Sequence, residues 1–272
     1  MITAPRQLPT ATASITSVLS AFNLSRQVVL FAEPGSYDHI ENVHRRVLLV
    51  NRLPQNGYEV SSKMPAAPSG TLGNFGNWIQ SARELLWLYK DSDTFLMCED
   101  DIAITPDLTK FIEARLWPSP HCGCISLYCP AMPHYTERRG LIRTDVRYTD
   151  VLNTHHNLVG ALCLLFPRRA LEELVSNQQS IDEWGGSHRQ RRTPGTLLWE
   201  RKAIDTWIGR TLVHMGWQIW NFNPGFVKHT GTTSSLGNNK HKSRLNARVI
   251  GNTAAFTGTT REVHVDVCPS SK

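Results

Sequence analysis

Three consecutive carboxylates, Glu99, Asp100 and Asp101, follow directly on the apolar run Phe95-Leu96-Met97-Cys98. Like charges packed this closely repel one another, so they need an offsetting cation or good solvation. A hard divalent cation held by carboxylate oxygens and substrate phosphates suits that position. In an open α/β sheet, ligands bind at the carboxyl ends of strands. The competing reading is an acidic turn that caps the next helix. Further along, Asp205 stands near the start of an apolar-periodic stretch. Alone it reads as a first-turn acid favoured by the helix dipole. His229 follows a Pro-Gly corner and precedes Gly231-Thr232-Thr233-Ser234-Ser235. A lone histidine is more often structural than a ligand.

The surrounding sequence alternates short apolar runs with helical patterns, which points to an α/β domain. Short strands are expected at Ile2-Thr3-Ala4, Val28 to Ala32, Val47 to Val50, Thr94 to Cys98, Cys124 to Tyr128, Leu158 to Phe166 and Trp217 to Phe222. Helical spacing runs from Ala13 to Phe22, Trp78 to Tyr89, Pro106 to Ala114 with Thr105 as cap, Pro167 to Val175, and Ala203 to Met215. Gly216 fits the stop of the last of these. Residues 61–77, 130–157 and 180–196 read as polar loops, the second as an acceptor loop or flap.

The order of these features resembles the GT-A glycosyltransferases, over nearly the whole chain. The nearest likeness is to inverting N-acetylglucosaminyltransferases and small bacterial and phage glycosyltransferases. Phe95 to Asp107 looks like that family's metal strand and following turn. Ile2-Thr3-Ala4-Pro5-Arg6 looks like its first nucleotide-binding strand, and Thr12 to Leu19 like the helix after it. The resemblance implies a single Rossmann-like domain over residues 1–231, with a mixed central sheet flanked by helices. It implies Mn²⁺ or Mg²⁺ and a nucleotide-sugar donor, a UDP-sugar being expected. Asp101 would hold the metal through the DxD-type motif, and His229 would reach metal or diphosphate. Glu99 and Asp100 would touch the ribose or nucleotide, and Gly160 would let backbone approach donor and acceptor. Asp205 would be the general base. Thr3, Pro5, Arg6 and Glu33 would edge the nucleotide, and Lys228 would add positive charge near the phosphates. Two departures stand out: the motif reads Glu-Asp-Asp, and Ile204 replaces the acid before the base.

The 272 residues carry a formal net charge of +6, with 40% hydrophobic and 19% charged residues, which excludes a disordered or fibrous chain. No apolar run reaches eighteen residues and the start lacks a signal-peptide pattern, so no membrane span and a cytoplasmic location are expected. Cys98 and Cys163 fall in apolar runs, as small hydrophobes do. His121-Cys122-Gly123-Cys124, with Cys129 and His134, lacks the paired C-x2-C of a zinc site. Basic residues cluster at Arg138, Arg139, Arg143 and Arg147, at His188 to Arg192, and at Lys240 to Arg248, with Tyr135, Tyr148, Trp184 and Trp199 nearby. Basic side chains interleaved with aromatics suit an anionic polymer such as hydroxymethylated DNA, from which the target base would have to be extruded. A surface glycan or glycolipid is the other acceptor. Residues 232–272 read as a flexible basic tail that could close over bound donor. The rival classes are a sugar-phosphate nucleotidyltransferase and a non-catalytic module. The first wants a Gly-rich loop after the first strand, and residues 5–12 contain no glycine.

Overall fold

A computed structural model describes residues 1–3, 10–22, 28–32, 47–51, 73–106, 108–113, 116–129, 140–145, 158–186, 204–223 and 225–230. The first sheet is parallel, with β1 (Ile2–Thr3) beside β2 (Val28–Ala32) and β2 beside β3 (Val47–Asn51). The second has five strands in the order β4-β8-β6-β9-β7, formed by Thr94–Cys98, Cys163–Pro167, Cys122–Ser126, Gln218–Asn223 and Gly140–Arg143 respectively. A parallel bridge between Ile2 and Glu99 joins the two sheets at the end of β4. Strand β8 runs antiparallel to β4 and β6, whereas β6 and β9 are parallel. The carboxyl ends of β1, β2, β3, β4, β6 and β9 therefore share one edge with the start of β8. This is a mixed α/β architecture. A separate two-stranded ribbon pairs β5 (Ile102–Ile104) with β10 (Val227–His229), antiparallel.

Alternation along the strands builds a core on each face, because successive side chains point to opposite sides. Val29 and Phe31, Phe95 and Met97, and Leu164 and Phe166 face one core. Val28 and Leu30, Cys98, and Cys163 and Leu165 face the other. The first core is covered by α2 (Gly73–Leu88), α4 (Arg168–Ser176), α5 (Gln178–Gly186) and α6 (Ile204–His214). The second is covered by α1 (Ala11–Phe22), α3 (Leu108–Glu113) and the β5–β10 ribbon. Trp207 anchors the first core, with Phe75 and Trp78 edge-on at 5.1 and 6.2 Å. Aromatic pairs in this arrangement contribute roughly 0.5–1.5 kcal/mol beyond their burial.

Several boundaries differ from the sequence reading, each for a packing reason. Helix α2 begins at Gly73, inside the stretch read as loop, because Gly76 and Asn77 are buried and Phe75 packs on Trp207. Helix α3 begins at Leu108. The Thr105 hydroxyl does not cap it but donates to the Phe226 carbonyl at 3.2 Å. Strand β7 lies within the segment read as a flap, paired along its length with β9. Helix α5 occupies the start of the polar stretch 180–196, with Ile181 and Trp184 buried. The short β5 and β10 carry too few residues for a period to be visible. At the end of α6, Gly216 has φ +86°, and Trp217 N–H bonds Leu212 O at 2.9 Å, which closes the helix.

Candidate functional site

The acidic triplet sits where β4 ends and turns into β5. Its backbone is tied on three sides. Glu99 N–H donates to Leu162 O at 2.9 Å, Thr230 N–H donates to Asp101 O at 2.8 Å, and the Ser14 hydroxyl lies 2.8 Å from Asp100 O. Asp101 is buried, and its Oδ2 lies 2.8 Å from His229 Nε2. The β10–β5 register makes that contact, with His229 opposite Ile102 and Val227 opposite Ile104. Gly225 permits the approach of β10: a Cβ there would stand 2.6 Å from the backbone nitrogen of Cys129. Asp100 is also buried, whereas Glu99 is half-buried. Burial pushes the Met1 ammonium pKa down, and the negative charge of Asp100 is among the groups that counter this.

Asp205 reaches the same sheet edge from the opposite layer. It stands in the first turn of α6, and its Oδ2 accepts the Gly160 N–H at 2.6 Å while Oδ1 accepts the Thr206 N–H at 2.7 Å. Gly160 lies three residues before β8 and has φ +78°, a conformation that L side chains rarely adopt. A Cβ at Gly160 would meet the Tyr128 ring at 3.1 Å. From Gly160 the chain runs to Leu162, whose carbonyl holds Glu99. Asp205, Gly160, the acidic triplet and His229 are thus joined by one short series of hydrogen bonds and chain connections.

The other expected site residues fall apart from this group or beyond view. Lys228 is exposed and alternates with His229 along β10, so its side chain leaves the opposite face of the strand. Thr3 ends β1 at the shared edge. Pro5, Arg6 and Glu33 lie outside the described residues, as do His134, Tyr135, Tyr148, Trp199, the 188–192 cluster and residues 232–272. Two features of the expected acceptor surface are engaged within the protein. Arg143 forms a salt bridge with Asp145 at 2.7 Å, and Trp184 is 7% exposed within the first core. Cys122 and Cys124 are buried in β6, and burial pushes the Cys122 thiol up to about 12, with Asp145 adding to the effect.

Asp101 and His229 bring an oxygen and a nitrogen donor within 2.8 Å of each other. Among the described residues no group of three or more His, Cys, Asp and Glu side chains could hold a metal. A divalent cation fits such a two-residue site when substrate phosphates and water complete its shell, as is common for Mg²⁺. The sequence reading did not anticipate Ser14, Ser17 or Tyr128. The serines left one trace: Ser14 interrupts the buried stripe Ala11, Ile15, Val18 and Ala21 of α1.

No protein-family model matches the chain, and no curated protein matches it. Among solved structures it is similar to a mannosyltransferase from Pyrobaculum calidifontis in complex with GDP-Man and Mn²⁺, at 12% identity and a TM-score of 0.43. The similarity covers 80% of this chain and 52% of that one, so this chain spans about half the length of that protein. No described helix is long and apolar enough to cross a membrane.

Proposed function

We propose that this chain is a metal-dependent glycosyltransferase of the inverting type, which moves a sugar from a nucleotide-sugar donor, with UDP-sugar favoured, to an acceptor hydroxyl. One observation carries the reading. The Asp101–His229 pair and the Gly160-held Asp205 reach the carboxyl edge of the same sheet from opposite layers. Group transfer with inversion asks for that division. The leaving diphosphate and the incoming hydroxyl act on opposite sides of the sugar carbon.

Asp101 and His229 would hold Mn²⁺ or Mg²⁺, which when bound supplies Lewis-acid charge to the departing diphosphate. Asp205 receives the proton of the acceptor hydroxyl as it attacks. Its two amide contacts fix the carboxylate, and its remaining lone pairs can face the acceptor. The half-buried Glu99 and the end of β1 would border the nucleotide.

For the acceptor, the reading remains an anionic polymer such as hydroxymethylated DNA. It rests on Arg138, Arg139, Arg147 and the 188–192 cluster, all outside the described residues, while Arg143 is paired with Asp145 and Trp184 is buried. Loss of DNA binding at low salt would move the reading to a surface glycan. The deciding experiment is release of nucleoside diphosphate from a panel of nucleotide sugars with added Mn²⁺. Asp101→Ala is expected to reduce it roughly a thousandfold, since metal stabilisation of a leaving group is worth several kcal/mol. Full turnover in that variant would refute the metal role. Pyrophosphate release from a nucleoside triphosphate would indicate a nucleotidyltransferase.

A further inference from the structure

Strand β5 is short, and it carries the chain away from the acidic triplet. One of its edges is paired with β10. On its other edge two side chains of α1 stand in for a strand. Ser14 Oγ accepts the Ile102 N–H at 3.0 Å and lies 2.8 Å from the carbonyl oxygens of both Asp100 and Ile102. Ser17 Oγ accepts the Ile104 N–H at 2.5 Å and lies 3.2 Å from the Ile104 carbonyl oxygen. Residues three apart share a helix face, so the two hydroxyls follow β5 as alternate residues of a partner strand would. A hydroxyl has one hydrogen and two lone pairs, so it can replace both the donor and the acceptor of a missing backbone neighbour.

We propose that Ser14 is a positioning residue for the Asp101–His229 pair. This extends the glycosyltransferase reading where it concerns the metal, but the geometry stands without it. The contacts of Ser14 bracket Asp101: Asp100 O lies on one side, and the N–H and C=O of Ile102 lie on the other. Asp101 O is meanwhile held by Thr230 N–H from β10. The backbone that aims the carboxylate is therefore gripped between α1 and β10. Ser14 is fully buried. Removing its hydroxyl leaves buried peptide groups without a partner and relaxes the turn toward other conformations. Ser17 makes the same kind of contact two residues further along, beyond Asp101. It is the internal control for a merely structural role.

The test uses the full chain, Mn²⁺ together with UDP as probe, and two measurements: Mn²⁺ affinity by electron paramagnetic resonance, and the Nε2 resonance of His229 in metal-free protein. Partners that orient a ligand typically matter 10–100-fold in metal affinity, so Ser14→Ala is expected to weaken Mn²⁺ binding by about that factor and to move the His229 resonance. Ser17→Ala is expected to lower the melting temperature comparably while leaving Mn²⁺ affinity within about twofold of the parent. Ser14→Thr keeps the hydroxyl and should restore both signals. If Ser14→Ala does not fold, Ser14→Cys, with its weaker donor, is read by the same two measurements. Parental affinity and an unmoved His229 resonance in the Ser14 variant would overturn the proposal, as would equal effects from Ser17→Ala. If the parent binds no Mn²⁺ in the presence of UDP, the metal-dependent UDP-sugar reading fails, while the metal-free His229 resonance still decides the role of Ser14.

Discussion

Asp101 and Asp205 are both acids at the same sheet edge, yet they are held in opposite ways. Asp101 is buried on the α1 side and lies against an imidazole, a group that can exchange a proton for a metal ion. Asp205 is half-buried on the α6 side and lies against two backbone amides, which have nothing to exchange. A carboxylate beside an imidazole can join it in binding a cation. A carboxylate fixed by amides keeps its place and its capacity to take a proton. Under the proposed function, the contrast would give leaving-group chemistry to one layer and acceptor chemistry to the other.

The sharpest way to break this contrast is Asp205→Asn. Turnover is expected to fall by about 10²–10⁴, the usual worth of a general base, while Mn²⁺ affinity stays at the parental value. Steady-state kinetics beside a metal titration would check it, and parallel losses in both would merge the two roles into one. A smaller effect is expected from Gly160→Ala. It keeps the amide donor but forces an L side chain into φ +78° against Tyr128, at a cost of about 1–2 kcal/mol in thermal or denaturant unfolding. The displaced amide should lower kcat and leave the metal site unaffected. Unchanged stability would mean that the backbone there relaxes freely.

The smallest effect is expected in the strands between the two layers. Burial pushes the Cys122 and Cys129 thiols up to about 12 and the Cys124 and Cys163 thiols well above their usual value. Alkylation requires the thiolate, so at pH 8 these four should resist iodoacetamide in the native protein and react once it unfolds, as peptide mass spectrometry would read. The sign for stability follows. A thiol whose folded pKa is raised stabilises fully below its unfolded value near 9, and that contribution is lost as pH climbs toward 12. Rapid native labelling of Cys122 would show that β6 opens easily.

The sequence made the strands legible where alternation or apolar runs were long enough, as at Val28 to Ala32 and Thr94 to Cys98. It marked Asp101, Asp205 and His229 by residue type. It did not reveal what each one touches, because those contacts join residues far apart in the chain. Phe75 and Gly76 read as loop because glycine-rich sequence carries little helical signal, whereas packing on Trp207 decided the matter. Trp184 read as part of a basic, aromatic acceptor surface because its neighbours are polar, although the helix turns it inward together with Ile181. Ser14 was hidden for the opposite reason. A serine in an apolar stripe looks like a tolerated substitution until its partners are known.

The partner of Asp101 arrives 128 residues after it. A ribosome therefore finishes β4, its acids and most of the sheet well before it makes the imidazole. Contacts of such long sequence separation tend to form late, because the loop between them must close first. Until β10 docks, the nascent chain holds the acids without their histidine. Assembly order alone would then keep unfinished copies without the Asp101–His229 pair.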